Sequence, residues 1–404
     1  MSGLGDIDGD GCPDWVVSAP MADDGKLADA GLLAVLSGAT GKPITSLRGT
    51  GAYEMLGVGV DAGADIDGDG FRDIVASSRS YLPAGGEAGV PAPAIRVFSA
   101  RKGTHILSLT GADLGSPTSW TGFGVPDIDG DGRGEIGALG AGMVILHSPS
   151  KGRRVLTLRD EKGEAAAAGV LDDLDGDGRP EIGIGWIPGT GGDPGKGYWI
   201  QVASTAQGGS LWRAGVEGPE GRPSILLDAG DLDGDRIHDL LVLDALHDPW
   251  KPHEWKGPMG APPRHRSRLH AVSGKSGGIL WSRESQQGLH APWNSVAAVE
   301  GHGSDGGRVV LLGEPMADLD GEFRLENPGV VHVLAGRTGK DLRRIRGPRP
   351  GGKFGAALSS APVPAAKGRP ALLVGAPGLG MEEGPPPRVH FLAADGEFLR
   401  EAGE

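Results

Sequence analysis

Cysteine is nearly absent: Cys12 stands alone among 404 residues, so no internal disulfide can form. No apolar run approaches the ~20 residues that a membrane-spanning helix needs. The first residues, M-S-G-L-G-D, have neither the basic start nor the apolar core of a signal peptide. Long helical patterns are scarce, and no nucleophile motif, phosphate loop or zinc motif appears. Positive charge is in deficit, with 39 Lys and Arg against 53 Asp and Glu and a net charge of −14. That balance gives no support for nucleic-acid binding.

What the chain has instead is glycine (74), proline (31) and one acidic loop written five times. Abundant turn residues without long helical patterns point to an all-β chain. The loops begin at Asp6 (D-I-D-G-D-G-C-P-D), Asp65 (D-I-D-G-D-G-F-R-D), Asp127 (D-I-D-G-D-G-R-G-E), Asp173 (D-L-D-G-D-G-R-P-E) and Asp231 (D-L-D-G-D-R-I-H-D). Carboxylates at positions 1, 3, 5 and 9, with a turn glycine at 6, form an oxygen cage for a hard cation. Calcium fits best, since magnesium wants a stricter octahedron and zinc wants nitrogen or sulfur.

The expected ligands are Asp6, Asp8, Asp10 and Asp14 in the first loop, and Asp65, Asp67, Asp69 and Asp73 in the second. The third offers Asp127, Asp129, Asp131 and Glu135, the fourth Asp173, Asp175, Asp177 and Glu181, and the fifth Asp231, Asp233, Asp235 and Asp239. Position 7 would add a backbone carbonyl from Cys12, Phe71, Arg133, Arg179 and Ile237 respectively. A thiol is too soft for calcium, so Cys12 takes part through its backbone. Setting aside the twenty loop carboxylates leaves 33 acids against 39 bases, so the acidity resides in these loops. In the fifth loop Arg236 replaces the turn glycine, where positive φ would strain it, and that site is expected to be the weakest.

Around each loop the chain repeats as strand a, acidic loop, strand b, a variable connection, strand c, a short S-G-x-T-G-type turn and strand d. Seven such units, near 1–50, 51–112, 113–160, 161–216, 217–286, 287–347 and 348–404, have the length of four-stranded propeller blades. The expected fold is a single seven-bladed β-propeller of antiparallel blades. Only Met1 to Gly5 precede the first loop, so the inner strand of blade 1 is expected to be largely missing. Blade 7 carries all four of its strands, which makes the blade 1 to blade 7 seam the expected weak point of the ring. Blade 6 (G-H-G-S-D-G-G, containing His302) and blade 7 have lost the loop ligands, and Asp318 to Glu326 imitates the loop without its turn glycine.

The pairs Phe123-Gly124 and Phe354-Gly355, with G-A-P at Gly375 to Pro377 and S-A-P at Ser18 to Pro20, stand in register with the acidic loops. The combination resembles the FG-GAP repeats of the integrin α-subunit propeller and related bacterial surface proteins. The resemblance covers essentially the whole chain, and it implies a seven-bladed propeller with calcium in the a-to-b loops.

Antiparallel topology puts those loops at one end of the blades and the variable connections at the other. There Trp120, Trp186, Trp250, His253, Trp255, Arg264, His265 and Trp293 are candidates to hold a protein or glycan partner, with Arg266 beside them. The leading expectation is a monomeric, non-catalytic, calcium-stabilised binding or adhesion module. Alternatives are a polysaccharide lyase using His253, His265 or His290 with an arginine, and a structural scaffold without a small ligand. Several calcium loops suit a surface, periplasmic or secreted setting, where calcium is millimolar.

Overall fold

Strand b is buried on both faces, as in Ile74–Ser77, whose four residues are all buried, while strand c in several blades alternates buried and half-buried residues, as in Leu32–Leu36. A strand buried on both faces must lie between two other layers. Strand d alternates instead, as in Pro43–Arg48, where Leu47 is buried and its neighbours are largely exposed. It therefore lies at the rim.

The chain realises this pattern in a computed structural model that describes residues 1–80, 90–116, 120–189, 197–217, 221–247, 265–285, 293–299, 307–317, 328–362, 370–377, 388–393 and 398–402. Seven four-stranded antiparallel sheets form a ring, a seven-bladed β-propeller. Strands a to d of blade 1 are Ser2–Gly5, Asp14–Ala19, Leu32–Leu36 and Pro43–Arg48. Blade 2 has Gly59–Ala62, Ile74–Ser77, Ala94–Ser99 and Thr104–Thr110, and a single helical turn, Gly111–Leu114, leads to blade 3. Blade 3 has Thr121–Val125, Glu135–Gly140, Met143–Ser148 and Arg153–Leu158, and blade 4 has Gly163–Val170, Glu181–Pro188, Tyr198–Ser204 and Ser210–Val216. Blade 5 has Gly221–Gly230, Asp239–His247, His265–Val272 and Ile279–Glu284. Blade 6 has Ser295–Val299, Val309–Glu314, Val330–Ala335 and Asp341–Arg346, and blade 7 has Ala357–Pro362, Pro370–Ala376, Arg388–Ala393 and Phe398–Ala402.

One expectation is corrected. The inner strand of blade 1 is present as Ser2–Gly5, paired with strand b in the register Ser2 to Val16 and Gly3 to Trp15. It is as long as its counterpart in blade 2, Gly59–Ala62, because four residues suffice at the crowded axis.

Core packing lies between blades. One buried apolar cluster fills each of the seven interfaces among the described residues. At the closing seam Trp15 of blade 1 meets Phe391 of blade 7 edge to face at 5.4 Å, over Leu373. That seam has the smallest of these clusters, and among the described residues no strand is exchanged across it. Near the axis the inner strands approach backbone to backbone: a Cβ on Gly124 would sit 1.9 Å from the Cα of Gly63. Only glycine permits that contact. Outer strands latch onto the next blade, with Trp212 Nε1 donating to Gly274 O at 2.6 Å and Trp281 Nε1 to Gly336 O at 2.7 Å.

The two F-G pairs turn out to be different features. Phe354 is fully buried just before strand a of blade 7, between Lys353 (φ 52°) and Gly355 (φ 89°). Its counterpart in blade 2 is Leu56, likewise fully buried between Met55 (φ 50°) and Gly57 (φ 93°). Phe123-Gly124 lies inside strand a of blade 3.

Candidate metal centres

Each acidic loop is tied by the same hydrogen bonds. The first aspartate takes the N–H of position 4 on one oxygen and that of position 6 on the other; for Asp65 these are Gly68 N at 2.6 Å and Gly70 N at 2.7 Å. The position 5 aspartate accepts the N–H of position 7, as in Asp69 from Phe71 at 3.1 Å. The ninth carboxylate reaches back to the N–H of position 2: Ile7 to Asp14 at 2.8 Å, Ile66 to Asp73 at 2.8 Å, Ile128 to Glu135 at 2.9 Å, Leu174 to Glu181 at 2.6 Å and Leu232 to Asp239 at 2.8 Å. The apolar residue at position 2 is buried in four of the loops, which anchors the hairpin at the interface.

These bonds bring the carboxylates together. Asp127, Asp129, Asp131 and Glu135 form one group and Asp173, Asp175, Asp177 and Glu181 another, each with an oxygen per residue lying within 4.8 Å of the others. Asp6, Asp8 and Asp10, then Asp65, Asp67 and Asp73, then Asp231, Asp233 and Asp239 form smaller groups of the same kind. A cation bound at 2.3–2.6 Å places opposing oxygens about 5 Å apart, so each cluster is of a size to hold a metal ion. Asp14, Asp69 and Asp235, expected among the ligands, stand outside these groups. Asp14 has both oxygens engaged by backbone N–H, from Ile7 at 2.8 Å and Gly38 at 2.9 Å. Asp69 and Asp235 are drawn toward Lys102 at 3.0 Å and Lys275 at 3.6 Å.

The ninth position decides the electrostatics. Asp73, Glu135 and Glu181 are wholly buried, and no donor among the described residues reaches Asp73 Oδ1, Glu135 Oε1 or Glu181 Oε1. Burial, then the neighbouring aspartates, raises Asp73 to about 7, Glu135 to about 8 and Glu181 to about 7. Asp239 rises to about 6 for the same leading reason, opposed by N–H groups that include Gly274 of the c-to-d turn at 3.1 Å. Buried polar atoms in folded proteins are almost always satisfied, so these donorless oxygens are positions where a cation could bind.

Sequence reasoning missed the c-to-d turns as part of these centres. Ser37 Oγ donates to Asp10 Oδ2 at 3.4 Å, Ser150 bonds Asp131, Lys102 reaches Asp67 at 2.7 Å, and Lys151 reaches Asp129 at 2.8 Å. The antiparallel order places these turns on the same face as the loops, and the repeated turn pattern was the available signal. His238, at position 8 of the fifth loop, was also missed. It bridges Asp172 of blade 4 at 3.2 Å and Asp228 of blade 5 at 3.0 Å, joining two blades beside their loops.

Arg236 does hold the turn at φ 72°, and its N–H still bonds Asp231 at 2.8 Å. A side chain in that region costs about 1–2 kcal/mol. Arg236→Gly is expected to stabilise the protein by roughly 0.5–1 kcal/mol once the entropy of glycine is subtracted, read as an upward shift of the urea midpoint.

On the opposite face, three of the proposed partner residues belong to the core. Trp120 and Trp293 are 4% and 5% exposed and plug the inter-blade space immediately before and near the start of strand a. Trp293 meets His332 edge-on at 6.3 Å, as Phe354 meets His390 at 5.3 Å, so it is the counterpart of Phe354. Trp186 lies within strand b of blade 4, opposite Trp199, with no exposure. A large apolar ring at a blade interface gains more from burial than a surface site could offer, and these indoles present nothing to a partner. His265 opens strand c of blade 5, and Arg266 pairs with Glu284. Trp250, His253, Trp255, Arg264, His290, His302 and the Asp318 to Glu326 stretch lie outside the described residues.

No family model matches the chain, and no curated protein is found to be similar to it. Seven blades, repeated loops and clustered carboxylates are therefore the grounds for a functional reading. Among the described residues, no helix is long and apolar enough to cross a membrane.

Proposed function

We propose that the protein is a calcium-binding propeller of the FG-GAP kind, in which ions in the acidic a-to-b loops of blades 1 to 5 pin the inner strands and the rigid ring serves as a binding or adhesion module. The observation that carries this reading is the set of buried, donorless oxygens on Asp73, Glu135 and Glu181, each carboxyl supplying an oxygen to an aspartate cluster. An all-oxygen donor set with several carboxylates favours a hard cation, and calcium tolerates the mixture of Asp and Glu at position 9. The ion would neutralise repulsion among carboxylates that burial otherwise drives toward protonation. A protein or glycan partner on the face opposite the loops is suggested by the aromatic and basic residues of the variable connections, and an extracellular or periplasmic setting by several loops suited to millimolar calcium. On this chain the partner reading now rests on the blade 5 connection and not on Trp120, Trp186 or Trp293.

Equilibrium dialysis of the metal-stripped protein against calcium tests the proposal. At least three of the five clusters are expected to fill at millimolar calcium. Protein that leaves dialysis with no bound calcium would overturn it.

A further inference from the structure

The five loops differ in one respect that the repeat does not predict. In blades 2, 3 and 5 the turn between strands c and d carries a lysine whose ammonium lies against loop aspartates: Lys102 on Asp67 and Asp69 at 2.7 and 3.0 Å, Lys151 on Asp129 at 2.8 Å, and Lys275 on Asp235 at 3.6 Å. Where the lysine engages position 5, in blades 2 and 5, that aspartate stands outside the group that could share a metal. In blade 4 the turn offers Ala206 and Gln207 instead, no lysine approaches among the described residues, and all four carboxylates stay together. Blade 4 also has a wholly buried ninth carboxylate with a donorless oxygen, Glu181 Oε1.

We infer that Lys102, Lys151 and Lys275 are built-in competitors for the cation, so that the loops form a graded set in which blade 4 fills first. The inference rests on the calcium reading above and concerns how that binding is regulated. A divalent ion entering blades 2, 3 or 5 has to displace an ammonium or bind beside it. Either course weakens it, because one unit of positive charge at contact distance opposes another. Each lysine is a flexible side chain at least a third exposed, so it can swing to solvent when the ion arrives. The ring would then respond to calcium over a broad range of concentration: blade 4 stays pinned when calcium is scarce, and the lysine-bearing blades tighten as it rises.

The test is a calcium titration by isothermal calorimetry, in competition with a chelator, on three proteins. These are the wild type, the triple variant Lys102→Met, Lys151→Met and Lys275→Met, and the single variant Gln207→Lys. The wild type is expected to show at least two classes of site. In the triple variant the weaker class should tighten about fivefold or more, and in Gln207→Lys the tightest site should weaken by a similar factor. Melting in excess chelator monitors folding separately, and these surface changes should leave the fold intact. Calcium isotherms that the substitutions leave unchanged would overturn the inference and leave the calcium reading standing. Absence of calcium binding in all three proteins would overturn both.

Discussion

Stripping calcium at pH 7.5 is expected to lower the melting temperature by roughly 10 °C or more, and the size of that loss should grow with pH. Each ion held at a hundred times its dissociation constant stabilises the folded state by about 2.7 kcal/mol, and several filled sites add up. At about 2.1 cal/mol/K of unfolding entropy per residue, a chain of 404 residues shifts by roughly 1.2 °C per kcal/mol, so about three filled sites give a loss of this order. Without metal, burial raises Asp73 and Glu181 to about 7, Glu135 to about 8 and Asp239 to about 6. A folded-state value above the unfolded one means that the native protein holds the proton more tightly. That contribution is complete below the unfolded carboxylate range near 4 and is lost as pH climbs through 6 to 8. Metal-free protein is thus less stable at pH 8 than these groups allow at pH 5.

With calcium in excess the sign reverses. The ion needs the deprotonated carboxylates, so binding strengthens over the same interval. Thermal melts from pH 5 to 8, in calcium and in EDTA, should give two curves that lie close together in acid and separate steadily above pH 6. A calcium effect of constant size across that range would show that the buried ninth carboxylates take no part in binding. Glu135→Gln should narrow the separation, because the amide keeps the shape of the side chain but has no charge to exchange for a metal.

Much of this arrangement could be seen in the bare chain because the blades repeat it. Ala165 to Ala168 favours helix in isolation, yet its register with the neighbouring blades places it in an inner strand, and it is one. Alternating and apolar stretches identified strands b and c for the same reason. Contacts between residues distant in the chain were less legible. Whether a ninth carboxylate keeps a free oxygen depends on the turn of strand c: Gly38 supplies an N–H to Asp14 from 24 residues away, and Gly274 supplies one to Asp239 from 35. The indoles misled for a related reason. Trp120 and Trp293 fall in connections by sequence, where an aromatic reads as surface, but the connection dips into an interface whose other wall belongs to a different blade. Periodicity reports the faces of a strand and carries no information about which neighbour covers a loop.

Replacement of Arg268 by alanine is expected to be among the most damaging single changes away from the metal face, at about 3–5 kcal/mol. Asp244 in strand b of blade 5 has no solvent exposure, and its Oδ2 accepts from Arg268 Nη2 at 2.9 Å and Nε at 3.2 Å. The same carboxylate lies 3.7 Å from His270 Nε2, beside the buried Tyr198, whose phenol burial and the nearby charge of Asp244 hold well above its usual range. His270 is itself buried, with Nδ1 bonded to Ser282 Oγ at 2.7 Å. Removing the guanidinium leaves an acid in the wall between blades 4 and 5 with no countercharge, and neither the imidazole nor the phenol replaces it at the same cost. The magnitude depends on the burial of the acid: neighbouring Arg266 pairs with the half-exposed Glu284 side chain, which water can solvate once the guanidinium is gone, and Arg266→Ala should cost under about 1 kcal/mol. Urea unfolding of the two variants in saturating calcium separates the cases. If Asp244→Asn restores most of the stability lost in Arg268→Ala, the penalty belongs to the unpaired charge; if the double variant is as unstable as Arg268→Ala alone, it belongs to lost packing of the arginine stem.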